Sequence, residues 1–133
     1  MGRPAAKKGD QIIGLDIHIV MVPTPVGTIP VPQPSPFRGD IKTAVSPNVY
    51  INKKPAATLL SGAKNQPPHI PIGGSFMRPP TNRSMVILGS TSVSINFKPA
   101  ARAGDLCLDC NDPVDLPTGS VVVKGKSNVF IGG

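Results

Sequence analysis

The chain has 133 residues, of which 17 are proline and 14 glycine, with no Trp, one Tyr and 4% aromatics. Proline lacks the N–H and clashes with the preceding helical turn, so this composition excludes a helical bundle and leaves few bulky side chains for a conventional core. The formal charge of +7 suits an acidic partner, a nucleic acid or an anionic surface, and no segment reaches the length of a membrane span.

The length suggests one domain. The longest proline-free stretches, 5–22, 81–98 and 118–133, carry glycines and β-branched residues. Strands and turns are predicted, with at most a turn or two of helix. Apolar residues make up 39% and cluster in strand-like runs, which argues against disorder. The N-terminus has no secretory apolar region, because Lys7, Lys8, Asp10 and Gln11 interrupt it. Synthesis in the cytoplasm, with reduced cysteines, is expected.

In chain order, one phrase recurs three times. It reads Arg3-Pro4-Ala5-Ala6-Lys7-Lys8-Gly9-Asp10, then Lys54-Pro55-Ala56-Ala57-Thr58, then Lys98-Pro99-Ala100-Ala101-Arg102-Ala103-Gly104-Asp105. Three copies at roughly even spacing indicate three related units, here roughly 3–53, 54–97 and 98–133. Small alanines allow backbones to approach near an axis, and the two Gly-Asp pairs read as turn caps.

Each unit ends on a β-rich run, a turn and an alternating strand. Val49, Val93 and Val129 fall in register, as do Ile51, Ile95 and Ile131, in an ungapped match from Asp40, Ser84 and Ser120. That pattern predicts a hairpin at the end of each unit. Unit one also carries a proline-rich insert over 22–36, expected to be an extended, polyproline-like loop strapped across the protein.

The two histidines and two cysteines fall in matching parts of the units. His18 is fourteen residues beyond Pro4, and His69 is fourteen beyond Pro55; Cys107 and Cys110 follow Pro99 by eight and eleven. Threefold wrapping would gather these loops at one end. Two imidazoles and two thiolates suit a closed, structural zinc site. Such a site would add binding free energy directly to folding. Asp109, Asp112 and Asp115 read as carboxylates of a solvated loop, with calcium as the other reading.

Pro4-Ala5-Ala6-Lys7 and Pro99-Ala100-Ala101-Arg102, each followed by Gly-Asp, resemble the signature of the PAAR-repeat family, as do the terminal Asn-Val-x-Ile strands. The resemblance implies an all-β, cone-shaped, pseudo-threefold domain over residues 1–133 with zinc near its tip. It implies a structural spike tip, not an enzyme, that caps a homotrimeric VgrG-like spike with one copy per trimer. The machines concerned are contractile injection systems: type VI secretion or phage-tail-like particles. Effector cargo and transient contact with a target membrane go with that role; nucleic acid does not. Since the sequence stops at Gly133, no built-in effector is expected.

Carried over, the family's tip ligands fall on His18, His69, Cys107 and Cys110. Members commonly use three histidines and one cysteine, so two and two is a departure, as is Pro55-Ala56-Ala57-Thr58 without Gly-Asp. The rival readings are a basic zinc-binding nucleic-acid module, against which stand scarce aromatics, and a zinc or thiol enzyme.

Overall fold

The computed structural model describes residues 2–125 and 127–133. In chain order its strands are β1 (Arg3–Pro4), β2 (Gln11–Thr24), β3 (Gly27–Thr43), β4 (Tyr50–Ile51), β5 (Lys54–Pro55), β6 (Gly62–Lys64) and β7 (Ser75–Phe76). There follow β8 (Arg83–Val86), β9 (Ser94–Ile95), β10 (Lys98–Pro99), β11 (Leu106–Asp109), β12 (Leu116–Val122) and β13 (Phe130–Ile131). The all-β expectation is met, and no described helix is long and apolar enough to cross a membrane.

Three antiparallel pairs form the body: β2–β3, β6–β8 and β11–β12. They join edge to edge, β3 to β6, β8 to β11, and β12 back to β2. The sheet therefore closes on itself and leaves no open edge around the ring. Inside lie Ile12, Phe37, Ile41, Ala63, Val86, Cys107 and Val121.

The three phrases meet at one end of this ring. Ala6 N–H donates to Ala101 O at 2.9 Å, Ala101 N–H to Ala57 O at 3.1 Å, and Ala57 N–H to Ala6 O at 3.0 Å. This closed triangle of hydrogen bonds marks a threefold axis through one chain. Any side chain larger than methyl would hold the three backbones apart, which is why the phrase needs alanine. Both alanines of every copy are fully buried.

The next turn repeats the threefold relation. Asp10 accepts from the Lys7 N–H at 2.9 Å and Asp105 from the Arg102 N–H at 2.7 Å; in unit two Ser61 accepts from the Thr58 N–H at 2.9 Å. The Lys7 and Arg102 side chains also return to Asp10 and Asp105. Unit two replaces each buried ion pair with a neutral Thr-Ser pair, so its departure from the signature is a matched substitution.

Beyond the alanines, Ile51, Ile95 and Ile131 pack with Val49, Val93 and Val129 into a second apolar layer. The hairpins here differ from the expected ones. β4 pairs forward with β5, and β9 with β10, through turns whose paired residues take positive φ: Asn52 and Lys53, Asn96 and Phe97. The third pair, β13 with β1, is made by the two ends of the chain. Each terminal strand thus pairs with the phrase that follows it around the ring, not with the run before it. The register is also gapped. Ile41, Val86 and Val121 make equivalent bonds to residues 10, 61 and 105, so Val86, not Met85, occupies the shared position and unit two is one residue shorter there.

The proline-rich insert is not a loop strap. Residues 22–36 belong to the β2–β3 hairpin, which runs unbroken from Gln11↔Asp40 to Thr24↔Gly27. The prolines fit because of their parity. Pro32 and Pro34 face Ile19 and Ile17, whose own N–H groups point away from β3 to Asp112 Oδ2 and Asn111 Oδ1. These are non-hydrogen-bonded pairs, where the missing proline N–H would have pointed to the outer edge. Pro30 and Pro36 share that parity. The edge is left without donors there, which blocks strand addition.

Candidate metal centre

The inner face of β2 carries the buried Ile12, Asp16, His18 and Val20. Gly14 completes the row, and a Cβ there or at Gly119 would collide with the Asp109 carboxylate. The two glycines thus make room for a buried acid beside Asp16. From across the ring come His69, in the loop after β6, and Cys110, just after β11. Asp16, His18, His69 and Cys110 each offer a ligand atom, all within 4.8 Å of one another, and all four residues are buried.

Three of the four residues expected from the sequence are therefore brought together. Cys107 is placed elsewhere: strand alternation turns it into the apolar cluster with Ile12, Val86 and Val121, its Sγ donating to the Asp105 carbonyl at 3.8 Å. Asp16 stands in its place. The signal for Asp16 was its spacing: two residues before His18 on a strand, it must share the histidine's face.

The group is tightly connected. Asp16 Oδ2 lies 2.8 Å from His69 Nε2 and accepts from Cys110 Sγ at 3.3 Å. Cys110 Sγ is 3.7 Å from His18 Nε2, and the two imidazole centroids are 4.9 Å apart. Phe76 of β7 packs on His18, and Phe37 on His69. Burial, with His69 beside it, holds His18 below the usual imidazole value. Burial and the Asp16 carboxylate push the Cys110 thiol up to about 12. Burial pushes Asp109 up to about 8, with Ser84 opposing and Asp16 adding to the shift.

A surrounding shell orients the four. His18 Nδ1 has no hydrogen-bond partner and lies 3.6 Å from Asp112 Oδ2, the placement of a carboxylate that steadies a metal-bound imidazole. Asp112 is itself fixed by Ile19 N–H and Arg78. Thr118 donates to Asp16. The solvated-loop reading of the acidic residues is thus corrected for two of them, since Asp109 and Asp112 are buried in this shell, while Asp115 is exposed.

The donor set fits a metal ion. Two imidazole nitrogens, one sulfur and one carboxylate oxygen are the ligand types of a four-coordinate zinc site, and the unpartnered His18 nitrogen is the kind of buried polar atom a coordinated ring would orient. With every position supplied from the chain and none exposed, such a site would be structural.

Comparison with known proteins adds one match. Residues 78–133, from the approach to β8 through β13, match the family model described as PAAR motif. That segment contains the third phrase, Lys98 to Asp105, and Cys107 and Cys110. No curated protein and no solved structure matches the chain.

Proposed function

We propose that this chain, whose residues 78–133 match the PAAR motif family, is the tip of a spike in a contractile injection system. The observation that carries the reading is the hydrogen-bond triangle of Ala6, Ala57 and Ala101. A single polypeptide with a threefold axis can close a threefold partner without symmetry mismatch. The partner is the blunt end of a homotrimeric VgrG-like spike.

The docking face is the end built from β4–β5, β9–β10 and β1–β13. Its three short strand pairs are equivalent, and large apolar side chains stand out from it: Tyr50, Phe130 and the fully exposed Phe97. Aromatics are preferred anchors at interfaces. The hairpins would extend the partner's sheets by strand addition. At the opposite end the metal staples strand β2 to the loops after β6 and β11 over a small core, and the metal is zinc, held by Asp16, His18, His69 and Cys110. The role is mechanical and no reaction is assigned to the chain. It is loaded in the cytoplasm and leaves with the spike on firing, when it meets the target membrane; cargo travels with it.

The test is the docking face. Tyr50→Asp with Phe97→Asp should abolish co-purification with the VgrG-like trimer while leaving metal content and melting temperature unchanged. Undiminished binding would place the interface elsewhere.

A further inference from the structure

The net charge of +7 is not spread evenly over the folded surface. On the outer face of the β3–β6–β8–β11 sheet lies a groove of about 730 Å³. Arg38, Lys42, Lys64 and Arg83 line it, and Lys42 also borders a neighbouring depression shared with Lys8 and Lys54. Among the described residues, none of these six cations has a carboxylate within ion-pair distance. The acids nearby do not balance them: Asp40 is engaged by Lys124 at 3.3 Å, which leaves Asp115. The groove is not purely ionic. Leu60 and Met85, 46% and 37% exposed, and Leu108 supply apolar surface between the cations.

We propose that this flank groove binds an acidic peptide segment of a second protein, one that alternates carboxylates with apolar side chains. Basic residues beside apolar ones complement that pattern. No aromatic residue lines the groove, so the stacking platform of a single-stranded nucleic-acid site is missing. A concave flank also does not match a bilayer surface. The two acids of this chain at the groove, Asp40 and Asp115, are part of its wall and do not fill it, so the segment comes from another molecule. The groove lies on the side of the ring, with only the neighbouring depression reaching Lys54 of β5 at the docking end, and the proposal does not depend on the spike-tip reading.

The experiment uses the full chain and a short fluorescent peptide of alternating glutamate and leucine, followed by anisotropy. Saturable one-to-one binding is expected, weakened about tenfold by Lys42→Glu and by Arg83→Glu. Met85→Gln should weaken it about threefold, and replacing the peptide's glutamates with glutamine should weaken it at least about tenfold. Lys98→Glu, an equal charge change outside the groove, should have less than about a twofold effect. Lys42→Gln and Arg83→Gln, expected to show the same loss at smaller size, replace any reversal that lowers the melting temperature. The proposal is overturned by absent or non-saturable binding, or by equal loss in Lys98→Glu. It is likewise overturned if oligothymidylate or phosphatidylglycerol vesicles bind more tightly than the peptide through the same residues.

Discussion

Asn65 Nδ2 lies 3.0 Å from His69 Nδ1, while Asn65 Oδ1 accepts the Arg38 N–H at 2.9 Å. The Arg38 bond fixes which end of the amide faces the ring, so His69 Nδ1 is an acceptor and its proton sits on Nε2, toward Asp16. A metal on Nε2 reverses this: the proton must move to Nδ1, where it meets the amide NH2. Asn65 must then turn and give up the Arg38 N–H. An aspartate at 65 would accept from both groups at once. Asn65→Asp should therefore raise zinc affinity by about tenfold, the scale of such supporting contacts, as read by competition with a chromophoric chelator. Weaker binding would show that His69 coordinates through a different arrangement.

The two cysteines should behave oppositely. Cys110→Ala should abolish metal binding and lower the melting temperature. Cys107→Ala should keep one metal per chain and cost about 1 kcal/mol of stability through lost packing. Metal content by mass spectrometry of the two purified variants decides this, and loss of metal in Cys107→Ala would restore that sulfur to the ligand set.

The pH dependence has a definite sign. In the metal-free protein the Cys110 thiol is pushed up to about 12, so it is protonated in ordinary buffers. Its pKa is raised, and a cation that binds the thiolate must expel that proton. Affinity should rise with pH, by about tenfold per unit between about pH 7 and 9. His18, held below its usual value, is already neutral there and adds no slope. Titrations at several pH values that gave a flat affinity would exclude the sulfur as a ligand.

What the sequence made legible followed from strict periodicity. The phrase Pro-Ala-Ala announced an axis because only alanine permits three backbones to bond across it, and the Val and Ile positions repeated at fixed distance from it. The partners of those strands were not legible. Tyr50–Ile51 and Lys54–Pro55 are separated by two residues, Asn52 and Lys53, both at positive φ, a two-residue hairpin loop without the glycine that usually marks one, and the Ser-Pro-Asn turn before Val49 gave the more visible turn signal. The proline-rich insert misled for a related reason: prolines at alternate positions look incompatible with a strand unless the ladder's parity is known. His18, His69 and Cys110 were readable from their place in the repeat. Cys107 was not separable from Cys110 by spacing, because inward alternation along β11 sends it to the apolar layer and the chain after Asp109 turns toward the site.

The matched pairs at the three turns support a swap. Asp105→Ser alone strands the buried Arg102 and should cost about 3 kcal/mol. Adding Arg102→Thr copies the Thr58-Ser61 arrangement and should recover at least half of that loss. Urea unfolding of the two variants measures the coupling. A double variant no more stable than Asp105→Ser would mean that the turn in unit two relies on something other than its neutral pair.

The account turns on one chain standing in for three. Native mass spectrometry of the complex with the VgrG-like spike measures this directly. One copy of this chain on each trimer is the predicted mass. Three copies per trimer, or assembly with spike monomers only, would contradict it.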